Sequence, residues 1–290
     1  MTIAARTVTF AALLVLLACS RPVDDGEVAP GPRPPRGSDT ACPEFGPPKQ
    51  SGRIRVSGID EISGVVASER FPVFWVQEDS GNPAEIHAVE LNGTLRASIE
   101  VRGSTNVDWE DIALAEGAIW LADIGDNEEV RDRLQVYRFP EPRLTVTSVT
   151  AEVLHLRYED GPHDAEAIVV DAGEQALYVI TKEFFVAAGV YRATIGGTLG
   201  DDVRILRRVG ELPLGLVTAA DLGPDGIVVK NYVKGRFYPW TDDGDVIATF
   251  AQDGCAVPVG GGESIAFGHD GNLVAIPEGE APPIFTSAPA

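Results

Sequence analysis

From residue 52 onward, short β-branched and aromatic runs alternate with clusters of Gly, Asp, Asn and Pro, and apolar residues almost nowhere recur at helical spacing. The runs return in a fixed order. The first strand of each unit reads EISGVVAS (61–68), EDIALAE (110–116), EAIVVDA (166–172), AADLGPD (219–225) and ESIAFGHD (263–270). A strongly apolar second strand follows and ends in polar residues: VFWVQED, AIWLADIGD, ALYVITKE, IVVKNY and NLVAIPEG. A shorter third strand has an aromatic or β-branched centre (EIHAVEL, LQVYRF, GVYRAT, FYPW, PIFT). The fourth alternates and is more polar: TLRASIEV, VTAEVLHLRY, VRILRRV and VIATFA.

First strands lie about 43 to about 56 residues apart, the length of a four-stranded propeller blade. Continuous apolar runs suit strands covered on both faces, and alternating runs suit a half-solvated outer strand. The pattern predicts an all-β fold, a five-bladed β-propeller over 52–287. The last unit has no fourth strand of its own, and GRIRVSG (52–58) is expected to supply it and close the ring. A six-bladed ring is the alternative, and it needs a further strand set.

The other end of the chain obeys a different grammar. Arg6 precedes a mostly apolar stretch, 7–17, too short to span a bilayer, and Leu16-Leu17-Ala18-Cys19 resembles a bacterial lipobox. Residues 1–18 are thus expected to be a lipoprotein signal peptide and Cys19 the acylated residue, its lipid the only membrane attachment. Residues 19–51 read as a tether, with eight prolines in 20–51 and hardly any large apolar residues. The folded domain is then expected outside the cytoplasm. There Cys42 and Cys255 can pair, closing a loop of about 213 residues, with a stabilisation on the order of 5 kcal/mol in the chain-entropy model. Cys42 precedes the closing strand and Cys255 the last unit's first strand, so a bond between them would lock the ring.

The formal charge is −21. Nucleic acid is excluded as a partner because its phosphates call for a basic surface, and electrostatic docking on anionic lipid is excluded likewise. A small molecule, a glycan or a protein remains open, and a monomer is expected.

The acidic residues concentrate where first strands begin and second strands end. Neighbouring antiparallel strands bring those two places to one mouth of the central channel. Asp108, Glu110, Asp164, Glu166 and Glu263 fall at the starts; Asp79, Asp123, Asp126, Glu183 and Glu278 fall at the ends, with Lys182 and Lys230 among them. In Asp108-Trp-Glu110 and Asp164-Ala-Glu166 strand alternation turns both carboxylates to one side. Such crowding raises carboxyl pKa values unless cations neutralise it. Oxygen-only ligands suit Ca²⁺ or Mg²⁺, and the four scattered histidines form no zinc pattern. A GxSxG elbow and a phosphate loop are absent, so the catalytic candidates are Glu110, Glu166 and Glu263 as acid and base.

With DWEDIA, ADIGDN, VYRFPEP, DAEAIVVD, VITKE and GESIAF in view, residues 52–286 resemble a group of uncharacterised secreted bacterial propeller lipoproteins. These are loosely similar to phytase-like/esterase-like and NHL/lactonase-type propellers. The resemblance implies the fold and a calcium site of acidic residues; Asn231 could match a lactonase-type asparagine, and Glu110, Glu166 or Asp221 its acids. The resulting expectation is a membrane-anchored binding module with a divalent-cation site at the acidic face. The alternatives are a metal-dependent hydrolase of a sugar, lactone or phosphoester at that face, and a protein-interaction scaffold.

Overall fold

The computed structural model describes residues 42–184 and 186–290. The signal peptide, Cys19 and most of the tether lie outside the described residues. The described chain is almost entirely β and propeller-like, a succession of antiparallel meanders. The first described strand is β1 (Lys49–Arg53).

The first meander holds β2 (Ile62–Ala67), β3 (Phe74–Glu78), β4 (Glu85–Val89) and β5 (Leu95–Arg102). The second holds β6 (Trp109–Ala115), β7 (Ala118–Asp123) and β8 (Leu134–Pro140). Before its outer strand forms, β9 (Ser148–Thr150) runs back parallel to β5, and β10 (Glu152–Tyr158) then completes the meander on β8. The third holds β11 (Ala165–Asp171), β12 (Ala176–Thr181), β13 (Ala188–Thr194) and the long β14 (Gly200–Leu212). One half of β14 pairs with β13 and the other runs parallel to β10, which fuses two meanders into one eight-stranded sheet.

The fourth meander, β15 (Val217–Leu222), β16 (Gly226–Asn231) and β17 (Gly235–Pro239), departs from the expected pattern. VIATFA is not its outer strand but carries the short helix α1 (Val246–Phe250). Asp245 caps it by accepting from the Ala248 N–H at 2.6 Å, and the fourfold spacing buries Val246 and Phe250 together. The outer strand is instead β18 (Cys255–Val257), three residues long. The last meander is β19 (Ala266–Phe267), β20 (Leu273–Ala275) and β21 (Pro283–Ser287), with β1 paired on β21. Closure thus comes from the N-terminal strand, displaced toward the N-terminus from GRIRVSG.

Cys42 and Cys255 form a disulfide with Cα atoms 5.6 Å apart. Cys255 precedes the last unit's first strand as expected, and it opens β18, so the bond ties the segment before β1 to the neighbouring meander. Next to it Phe45 bridges Pro289, and the Ala290 N–H donates to the Glu44 carbonyl at 2.8 Å.

The first strand of each meander is an edge of its sheet, and these edges face one another: β2 packs on β6, β6 on β11, β11 on β15, β15 on β19, and β19 on β2. Buried edge amides and carbonyls need partners, and side chains of the ring supply them. Asp111 of β6, fully buried, accepts from its neighbour Ile112 at 2.9 Å, from Ile168 of β11 at 2.9 Å and from Ala220 of β15 at 3.5 Å. Asp221 of β15 accepts from Phe267 of β19 at 2.7 Å. Ser63 of β2 donates to the Glu110 carbonyl at 2.7 Å, and Thr218 of β15 to the Glu263 carbonyl at 2.9 Å. Between meanders lie apolar layers; in one of them Trp75, Trp109 and Tyr137 are buried among aliphatic side chains.

Replacing Asp111 by Ala is expected to lower the unfolding free energy in urea by about 3 kcal/mol or more, because buried N–H groups left unpaired cost roughly 1–3 kcal/mol each. Asp111→Asn keeps one acceptor oxygen and should lose less. An alanine variant within about 0.5 kcal/mol of the parent, the range of ordinary surface substitutions, would refute the lock.

Candidate functional site

One irregularity recurs in the inner hairpins. Pairing between first and second strands skips a residue between Ile62 and Gly64, Trp109 and Asp111, Ala165 and Ala167, and Val217 and Ala219. The bulged residues are therefore Ser63, Glu110, Glu166 and Thr218. A bulge re-aims the side chain it carries, here at one end of the channel. The register corrects the alignment of EISGVVAS with EDIALAE: Ser63, not Glu61, is equivalent to Glu110. The hydrogen bonds agree, since the N–H groups of Asp79, Ile124 and Lys182 donate to the carbonyls of Glu61, Asp108 and Asp164.

Carboxylate oxygens of Asp79, Asp108 and Glu110 all lie within 4.8 Å of one another. Glu110 is almost fully buried, and Ser63 Oγ donates to its Oε2 at 3.2 Å. Gly125, in the loop after β7, lies against the same group; a Cβ there would collide with Glu110 Oε1 and Asp108 Oδ2. Across the mouth, Tyr232 donates its hydroxyl to Glu263 Oε1 at 2.7 Å. Lys182 pairs with Glu166, and its Nζ stands 5.5 Å from the centre of the Tyr232 ring.

Burial and like charge act together on this group. Desolvation first, then Asp79, pushes Asp108 up to about 6, although Arg131 pulls the other way. Glu110 is raised as well, by burial and then by Asp79, Asp108 and Glu263. Asp79 is raised by burial, with Glu263 and Glu61 adding to it. Glu278 is pushed up to about 7 by burial and by facing Glu263 and Asp79.

The structure thus brings Asp79, Asp108, Glu110, Glu166, Lys182, Glu263 and Glu278 to one mouth. The remaining expected residues lie outside the cluster. Asp123 is buried and held by Arg131 at 2.7 Å, and also accepts from the Asp108 N–H at 3.2 Å. Asp126 accepts from the Arg131 N–H, and its own N–H donates to Asp164 Oδ1 at 2.9 Å. Asp123, Asp126 and Asp164 therefore brace the loop that presents Gly125. Lys230 is wholly buried, donates to the carbonyls of Gly261 and Gly262, and is lowered to about 8 by burial. It holds the turn from which Glu263 projects. Glu183 turns toward His163 Nδ1, 3.8 Å away, and His163 meets Asp160 at 3.1 Å. Asn231 accepts from the N–H groups of Val233 and Lys234, and Asp221 from Leu222 and Phe267, so both are engaged with backbone.

Ser63, Gly125, Arg131 and Tyr232 escaped the sequence reading. Tyr232 was within reach of it, because it follows its second strand as Asp79 and Lys182 follow theirs. Ser63 was not, since only the bulge reveals its register.

No protein-family model and no curated protein matches the chain. Among solved structures it is similar to a glucose dehydrogenase, with 8% identity over 84% of this chain and 99% of that one and a TM-score of 0.49. The soluble aldose sugar dehydrogenase from Escherichia coli in its apo form gives 9% identity, 84% and 99% coverage and a TM-score of 0.47. The PQQ-bound form of aldose sugar dehydrogenase from Streptomyces coelicolor gives 12%, 85%, 99% and 0.46. Similarity at this level assigns no chemistry to the site.

The raised carboxyls set the sign of a pH effect. Each binds its proton more tightly in the folded chain than in the unfolded one, where carboxyls titrate near ~4. Folding therefore takes up protons, and stability rises as pH falls from about 8 toward about 5. In chelator the thermal midpoint is expected to be higher at about pH 5.5 than at about pH 8. The difference should shrink in Asp108→Asn and persist in the surface control Glu152→Gln.

Proposed function

We propose that this chain is a five-bladed propeller that works outside the cytoplasm as a binding module, its acidic channel mouth holding a divalent cation. Asp79, Asp108 and Glu110 are the ligands. The observation that carries this reading is the convergence of their oxygens within 4.8 Å. A hard dication suits an all-oxygen donor set, and Ca²⁺ accepts the irregular geometry that loop and bulge residues provide. It also removes the cost that raises these carboxyls, since their charges would then face a cation rather than each other. Glu263, Glu278 and Tyr232 stand across the mouth to meet a ligand reaching the metal from the channel side. The ring of meanders closed by β1 supports the count of five blades.

The cation is tested by thermal melts in Ca²⁺, in Mg²⁺ and in chelator. A ligand that binds only the folded state stabilises it by about 2.7 kcal/mol at a concentration of about 100 Kd. The midpoint is expected to rise in Ca²⁺ and to stop responding in Asp108→Asn and Glu110→Gln. A midpoint indifferent to Ca²⁺, Mg²⁺ and chelator would overturn the site.

The disulfide supports an oxidising compartment. No helix among the described residues is long and apolar enough to cross a membrane. The proposed attachment is the lipid on Cys19, which the lipobox-like Leu16-Leu17-Ala18-Cys19 supports. Cells grown with labelled palmitate are expected to label the parent chain and not Cys19→Ser, whose product should move to the soluble fraction. A membrane-bound Cys19→Ser protein would rule out the anchor.

A further inference from the structure

The seam between the fused meanders carries a second feature, chemically opposite to the channel mouth. In the parallel pairing of β10 with β14, Arg157 stands opposite Ile205. Partners in a ladder share a face, and alternation along β14 adds Val203 and Arg207 to it. The loop after β7 brings Arg131, Asp132 and Arg133 over this face. Two adjoining depressions result, of about 460 and 370 Å³, which have Arg157 and Asp132 in common. Tyr158 and Pro162 border the larger one.

The charge here runs against the rest of the chain. Acids outnumber bases 44 to 23 overall, yet four guanidinium groups line this groove against two carboxylates, Asp132 and Glu159. Their commitments differ. Arg131 is bound to Asp123 and the Gly125 carbonyl, and belongs to the loop. Arg207 meets Glu159 at 3.1 Å with its own side chain largely in water, a pair worth little, while Glu159 also accepts from the Arg208 N–H at 3.0 Å. Among the described residues no acid pairs with Arg133 or Arg157. A molecule of net charge −21 repels anions at long range, so guanidinium groups gathered in a concave seam with apolar Val203 and Ile205 beneath them mark a place of reversed sign. The guanidinium fork matches carboxylate and phosphate oxygens in pairs, which a lysine would not do.

We propose that this groove binds a small molecule carrying two acid groups, phosphates or carboxylates, with Arg133 and Arg157 as the principal ligands and Arg207 released from Glu159 to join them. The site is independent of the cation at the channel mouth.

Isothermal titration calorimetry tests it on the folded protein at fixed Ca²⁺, with fructose 1,6-bisphosphate and glutarate as probes and fructose as the neutral control. One-site saturable binding of at least one of these two diacids is expected, weaker in higher salt, and no binding of fructose. Binding of the bisphosphate alone would identify phosphate as the ligand chemistry, and binding of glutarate alone would identify carboxylate. Arg157→Gln and Arg133→Gln, both at exposed positions, should each weaken binding roughly tenfold or more, as loss of a charge-assisted hydrogen bond does. Arg96→Gln, an exposed arginine paired with Glu90 on the first meander, should leave it unchanged. No saturable binding of either probe up to about 10 mM, weaker than any millimolar site, would overturn the proposal. So would binding that both groove variants leave intact.

Discussion

The structure depends on how the channel-facing edges of the first strands are satisfied. Each such strand is hydrogen-bonded to its own second strand on one side and to no strand on the other. The unpaired amides and carbonyls are buried, and many of their partners come from side chains of neighbouring meanders. Asp111 reaches from β6 to β11 and β15, Asp221 from β15 to β19, Ser63 from β2 to β6. These bonds join the meanders at the channel, while apolar layers and, at the outer edge, the parallel pairings of β9 with β5 and β14 with β10 join them elsewhere. The carboxylate of Asp111 pays for its burial by serving three amides at once; an aliphatic residue there would leave all three unpaired.

The same ring that needs these bonds creates the site. Bulges at Glu110 and Glu166 break the ladder where first strands begin, and each break turns a carboxylate into the channel mouth. Repulsion would spread the acids unless the backbone were held from behind. Arg131, Asp123, Asp126 and Asp164 fix the loop bearing Gly125 against Asp108 and Glu110, and buried Lys230 fixes the turn bearing Glu263. Several acids that look like ligands in the sequence are thus part of the mounting. Glycine is required at 125 for space rather than for backbone conformation.

Arg131 also marks the border between two electrostatic regions. On one side its guanidinium engages Asp123 and moderates Asp108; on the other it lines the arginine-rich seam of β10 and β14. An acidic mouth and a basic groove can lie so near each other because the charges between them are committed to one another.

The amino-acid sequence by itself determined the all-β class, the order of the three inner strands within each meander and the mouth at which the carboxylates collect. Those properties follow from local periodicity: inner strands buried on both faces must be continuously apolar, and outer strands need not be. It also pointed to the pairing of Cys42 with Cys255, and the structure contains that disulfide. Tertiary structure decided the rest. VIATFA fits a strand by alternation, but Asp245 can cap a helix there and the spacing of Val246 and Phe250 lets that helix bury one face. Ser63, two residues after Glu61, is the equivalent of Glu110 because the bulges and the bonds from Asp79 and Ile124 set that register, and the local sequence pattern carries no mark of it. Asp123, Asp164 and Lys230 resemble their neighbours in sequence and differ from them only in what they can reach. Whether a charged side chain binds a ligand or braces the backbone depends on distances between segments far apart in the chain, and local pattern does not encode them.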